Sequence, residues 1–323
     1  MKMLFCADVQ LGAICAENLD VKSAHKWQAA RSEKLADLID RAAQNNASYI
    51  ALFGRLFGQT RISESVIDVL FDAVKEDANI QVLAFLNADE YKRISYRNDI
   101  PDNIHLLCET TANTYTDDAV VLRMESGTAA MQLGDNDALV IRETAEHRYI
   151  ICGLPEEHGI PSFEPNGFED ANRLSCGYAV LEWADETVGQ YVFTPHQTYT
   201  YESIEIRIQP EDDEKEISRK INAVARSMDC DTFLRITLSG RTAFGLSVSA
   251  DGLKNHLQKQ IFYVEVYDHT VMDIDEESFE NDISLRSEFV RLALQDGSLS
   301  ENERNRLIRC GWNALNGREV TAE

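Results

Sequence analysis

Three apolar runs near the start of the chain each end on polar residues. They are Met3-Leu4-Phe5-Cys6-Ala7-Asp8-Val9-Gln10-Leu11-Gly12, Tyr49-Ile50-Ala51-Leu52-Phe53-Gly54-Arg55-Leu56-Phe57-Gly58 and Ile80-Gln81-Val82-Leu83-Ala84-Phe85-Leu86-Asn87-Ala88-Asp89. Unbroken apolar stretches of this length read as strands buried on both faces. Between them, residues 23–44 and 62–75 set Trp27, Leu35, Leu38 and Ile39, then Val66, Leu70, Phe71 and Val74, at roughly helical spacing. Strand, helix, strand, helix, strand predicts parallel pairing with right-handed crossovers. The carboxyl ends of such strands converge on one crevice, so Asp8, Gln10, Arg55, Asn87 and Asp89 are expected near one another.

From about residue 103 the pattern changes to short strands and turns: 104–108, 119–124, 129–133, 138–141, 148–152, 178–183 and 191–194. These predict a second, more antiparallel sheet against the first, giving a two-sheet α/β core with outer helices. A strand at 204–208, a helix opened by the acids of 211–216, a strand at 232–238, a helix at 251–259 and a strand at 261–267 make a compact β-α-β-α-β unit. Acids at the start of that helix suit its macrodipole. The tail predicts a helical hairpin that either folds back on its own protein or docks on another. Leu285, Phe289, Leu292 and Ala293 share one face, and Ser300 with Glu303 forms a capping box for a helix through Leu307, Ile308, Trp312 and Leu315 that stops at Gly317. The expected domains are 1–202, 203–268 and a C-terminal helical segment, 269–323.

Charge narrows the function. Fifty-five acidic against 31 basic residues give a formal net charge of −24. Gripping a phosphate backbone draws on counterion release by a basic face, so autonomous DNA binding is disfavoured. The seven cysteines show no CxxC spacing and read as reduced, packed thiols. No run of 18 apolar residues and no leader stands at Met1, so a cytoplasmic protein without a membrane span is expected. His147, His196, His256 and His269 are scattered and read as structural or exposed, and Glu156-Glu157-His158 reads as a solvated turn. The chain has no G-x-S-x-G, P-loop or G-x-G-x-x-G, which leaves serine hydrolases and nucleotide motors without support.

The three strand ends carry a family resemblance. D-x-H, G-D-x-F-D and G-N-H-D, about thirty residues apart, mark calcineurin-like metallophosphoesterases, and the chain resembles the SbcD-like and YhaO-like DNA repair nucleases among them. The motifs stand here as Asp8-Val9-Gln10, Gly54-Arg55-Leu56-Phe57-Gly58 and Leu86-Asn87-Ala88-Asp89. The likeness extends through residues 100–105 and the helical tail, 284–317. It implies a metallophosphoesterase-like two-sheet sandwich flanked by helices, a small α/β capping domain and a C-terminal helical hairpin. The chemistry of that family needs two divalent cations about 3.5–4 Å apart that activate water and clamp a phosphate.

Only Asp8 and Asn87 keep the ligand types that the resemblance implies. Arg55 stands where a carboxylate should bridge the metals, and a guanidinium cannot ligate a cation. Gln10 and Ala88 replace histidines, and the late G-H-x-H pair is replaced by Gly153-Leu154-Pro155-Glu156-Glu157-His158, leaving His158 as a stray candidate ligand. The remnant metal-site positions are thus Asp8, Gln10, Arg55, Asn87, Ala88 and Asp89, with no assigned catalytic residue. An internal salt bridge from Arg55 to Asp8 and Asp89 is expected in place of the metals, the alternative being that Arg55 points to solvent and the pocket is merely degenerate.

The function implied is a pseudoenzyme without cofactor, a structural or regulatory subunit related to DNA repair nucleases. Its expected partner is an SMC-type, SbcC-like ATPase bound through Leu285, Phe289, Leu292, Leu307, Ile308, Trp312 and Leu315, with DNA touched only indirectly or weakly. Two alternatives stand beside it. One is an active exonuclease or phosphoesterase using manganese or another divalent cation at Asp8 and Asn87. The other is a free-standing acidic interaction protein.

Overall fold

Alternate residues of the first strands face two different cores. On β1 (Lys2–Ala7), Leu4 and Cys6 join one apolar cluster while Met3, Phe5 and Ala7 join another. On β2 (Tyr49–Phe53) and β3 (Gln81–Phe85), Ile50, Leu52, Val82 and Ala84 face the first cluster, and Tyr49, Ala51, Phe53, Leu83 and Phe85 the second. Burial on both faces is why these strands are apolar throughout rather than alternating.

The computed structural model describes residues 1–59, 61–125, 128–133, 139–144, 148–184, 187–246, 250–274, 279 and 282–317. The chain divides into two units, Met1–Thr198 and Tyr199–Glu323.

In the first unit, β1, β2 and β3 pair in parallel, and β4 (Ile104–Leu107) continues the same sheet beside β3. The crossovers are α1 (Val21–Gln44), α2 (Glu64–Lys75) and the short α3 (Ala88–Ile94). Leu35, Leu38 and Ile39 of α1 and Ile67, Leu70, Phe71 and Val74 of α2 bury against the sheet in the first cluster. A second sheet is antiparallel: β5 (Thr114–Thr116), β6 (Val120–Glu125), β7 (Thr128–Leu133), β8 (Leu139–Glu143), β9 (Tyr149–Cys152) and β10 (His158–Gly159) pair in succession. Val120, Leu122, Met131, Leu133, Leu139, Ile141 and Ile151 of this sheet close over the second cluster.

The unit is a mixed α/β, two-sheet core, as expected, but the strands are shared out differently. After α4 (Phe168–Arg173), β11 (Gly177–Ala184) pairs antiparallel with β1, and β12 (Thr187–Pro195) pairs with β11. Residues 104–108, 178–183 and 191–194, assigned above to the second sheet, therefore extend the first. The free side of β1 and the parallel continuation beyond β3 accept them. Ala138, the expected start of one strand, lies outside the described residues.

In the second unit, β13 (Thr200–Ile208), β14 (Thr232–Ala243) and β15 (Tyr263–Asp268) are parallel, joined by α5 (Glu214–Ala225) and α6 (Ala250–Leu257). Both helices pack on the face carrying Ile206, Ile208, Leu234, Ile236, Leu238 and Val264. Asp213 caps α5 by accepting the Glu216 N–H at 2.8 Å, which gives part of the acidic run a helix-capping role. β16 (Val271–Asp273) pairs with the end of β14.

The tail helices α7 (Leu285–Gln295) and α8 (Glu301–Leu315) belong to this same unit. Their Val290, Ala293 and Ile308 cluster with Met272 and Phe244. Ser300 and Glu303 form the expected capping box. Among the described residues no helix is long and apolar enough to cross a membrane.

Candidate functional site

The parallel strands bring the three polar endings to one edge of the first sheet. Past β1 and β2 the chain stays laddered: Asp8, Gln10 and Leu11 donate their N–H groups to the carbonyls of Phe53, Arg55 and Leu56 at 2.9, 3.0 and 2.9 Å. Asp8 and Gln10 take φ of 53° and 50°, in the left-handed region that side-chain-bearing residues rarely adopt. Gly54 also lies there, at φ 74°, and a Cβ on it would collide with Asp8 and Tyr149. This turn aims the Arg55 N–H at Asp8 Oδ1, 3.1 Å away.

That geometry corrects the expected salt bridge. The Arg55 side chain is exposed and, among the described residues, forms no ion pair; Asp89 is exposed as well. Asp8 is instead held by the backbone of Arg55, with the guanidinium contributing charge from a distance. Burial raises the Asp8 carboxyl above its ordinary value, opposed by the Arg55 N–H and then the Arg55 charge, while Glu143 and Asp170 reinforce the rise. Ionising Asp8 therefore costs more in the folded chain than in the unfolded one, and its contribution to stability becomes less favourable as pH climbs above about 4. Tyr149, tilted on Phe53 at 6.0 Å, has its phenol pushed up by burial and by the neighbouring Glu143, Asp8 and Glu90.

Asn87 is spoken for. It caps α3, its Oδ1 accepting the N–H groups of Asp89 at 3.0 Å and Glu90 at 2.9 Å. Glu90 completes the capping box and is itself buried, accepting from Phe57 N at 3.0 Å and Asn87 N at 3.2 Å. It thereby ties the end of β2 to the end of β3. Gln10 is engaged too: its Oε1 accepts from Asn166 Nδ2 at 2.6 Å. Ala88 is exposed on the first turn of α3.

His158 lies on β10, an edge of the second sheet, with its ring stacked on Tyr191 at 4.5 Å. His196 sits against Asp37, Nε2 to Oδ2 2.8 Å, and burial lowers its pKa. His147 lies outside the described residues.

These donors do not fit a two-metal centre. The half-buried Asp8 carboxylate already accepts the Arg55 backbone N–H, no carboxylate stands at the bridging position, and the oxygens of Gln10 and Asn87 both accept protein N–H groups. Among the described residues no group of three or more His, Cys, Asp or Glu is gathered as a metal would require.

The sequence reading missed Glu90, Tyr149 and Asn166. Glu90 had a readable signal, an acid three residues after Asn87 at a helix start. Tyr149 and Asn166 arrive from distant segments and had none.

Six of the seven tail residues divide into two sets. Ile308 is fully buried, while Phe289 and Trp312 are half-buried against that same cluster, so these three cover their own unit. Leu285, Leu292 and Leu307 are 73%, 60% and 42% exposed, beside Ile283 at 98%. Leu315 is half-buried.

The chain matches no known protein-family profile, and no curated protein matches it.

Proposed function

We propose that the first unit is a catalytically degenerate SbcD-like metallophosphoesterase domain and that the chain works as a structural or regulatory subunit rather than as a nuclease. The observation that carries this reading is the content of the crevice. The D-x-H, G-D and G-N-H-D positions meet at one sheet edge, yet Arg55 occupies the bridging position and the Gln10 and Asn87 oxygens are engaged. A two-metal site needs a bridging anion and free donors. Calorimetric titration of the chelator-treated protein with manganese tests this reading: no saturable binding is expected, and saturable micromolar binding lost on Asp8→Ala would overturn it.

The second unit is the capping and docking part in the same proposal. The partner is a protein, of the SMC-type ATPase class that the resemblance implies, and Leu285, Leu292 and Leu307 are the residues left to meet it. Deleting the hairpin would strip Val290, Ala293 and Ile308 from the unit's own core, so point substitutions are the sounder test. Leu285→Glu with Leu292→Glu is expected to leave the thermal midpoint nearly unchanged and to abolish co-purification with an SbcC-like ATPase. Undiminished co-purification would sink the partner assignment.

A further inference from the structure

Two cations stand behind the crevice where solvent does not reach. Arg31 and Lys34 of α1 are only 2% and 4% exposed. Both reach the segment 161–168, a strap that crosses the end of β1. Ala7 donates to Pro161 O at 2.8 Å, Phe163 N to Ala7 O at 2.7 Å and Ala16 N to Asn166 O at 2.8 Å.

Arg31 uses its fork on both sides of this crossing. Nη1 donates to Asn166 Oδ1 at 3.0 Å and Pro165 O at 3.4 Å, and Nη2 to Val9 O at 3.1 Å. Asn166 passes the connection on, its Nδ2 donating to Gln10 Oε1. The relay therefore ends on Val9 and Gln10, within the turn whose Asp8 and Gln10 are left-handed. Such residues persist only where their surroundings over-determine them.

We infer that Arg31 and Asn166 are positioning residues: through Val9 and Gln10 they hold the strained turn that presents Asp8 and Gln10 at the crevice. The edge of β1 is thus organised by protein hydrogen bonds. The inference goes beyond the phosphoesterase reading and fails separately from it, because no metal, substrate or partner enters its test.

The probes are the amides of Gln10 and Leu11, bonded to Arg55 O and Leu56 O, with the Val82 amide, bonded to Asn103 O in the same sheet, as internal reference. Hydrogen exchange is measured on the full chain. Asn166→Ala is expected to speed exchange at Gln10 and Leu11 by about tenfold, the scale of one buried partner left unpaired, with Val82 unmoved. Arg31→Lys, which keeps the charge and loses the fork, should do the same.

Gln10→Gly separates positioning from general stabilisation. Against the wild type it should also speed exchange, since the link to Asn166 is lost. In the Asn166→Ala background it should have no such effect, because there is no link to lose and glycine accepts this φ freely. Equal acceleration at Val82, no acceleration at the probes, or additive effects of the two substitutions would each overturn the assignment. Should Arg31→Lys fail to fold, the Asn166 and Gln10 cycle decides alone.

Discussion

Glu164→Gln is expected to destabilise the first unit by about 3–5 kcal/mol, the cost of leaving a buried ion without its counter-charge. Lys34 and Glu164 are in contact, their side chains 3% and 0% exposed. Lys34 also donates to Phe163 O and to His196 O, the latter at 2.7 Å, while Glu164 accepts from Thr198 N at 3.0 and 3.2 Å. Glutamine can keep part of that hydrogen bonding but cannot neutralise the ammonium, so the loss is electrostatic at root. Replacing both partners, Lys34→Met with Glu164→Leu, should recover part of the stability, because no uncompensated charge is left buried, although Phe163 O, His196 O and the Thr198 N–H lose these partners. Urea denaturation of the three proteins measures this. A loss below about 1 kcal/mol for Glu164→Gln, as for exposed pairs, would show that the pair is not sealed from water.

Phe53→Ala carries the second large effect, about 3–5 kcal/mol. Phe53 is 4% exposed between the two sheets, stacked on Phe85 at 3.9 Å and on Phe5 at 6.3 Å. It is also the last residue before Gly54 and Arg55, and its carbonyl accepts the Asp8 N–H. Alanine would leave a cavity under the crevice, so the same denaturation experiment should find Phe53→Leu far milder. Equal losses for the two substitutions would place the cost outside the cavity.

The parallel core was readable because its strands are buried on both faces, and such runs cannot be mistaken for alternating surface strands. The capping box at Ser300 and Glu303 and the acidic start of α5 were readable for a local reason, since their partners lie within one turn. Sheet membership was not. Residues 178–183 are as apolar as a second-sheet strand would be, and only their pairing with β1 assigns them to the first.

The candidate site divides the same way. That Asp8, Gln10, Arg55 and Asn87 share an edge follows from topology, but what their side chains do was decided by segments far along the chain. Asn166 takes Gln10, and the Gly54 turn gives Asp8 a backbone partner in place of a guanidinium. The tail shows the limit of a shared apolar stripe. Leu292 and Ile308 both belong to helical faces, yet one is exposed and the other fully buried.

The most direct test of the account is calorimetric titration of the chelator-treated protein with manganese, alongside an Arg55→Asp variant. The degenerate-site reading predicts no saturable binding by the wild type and a gain of binding when a carboxylate returns to the bridging position. Saturable micromolar binding by the wild type, lost on Asp8→Ala, would contradict it and show that the remodelled site still holds a metal, making nuclease assays the next step.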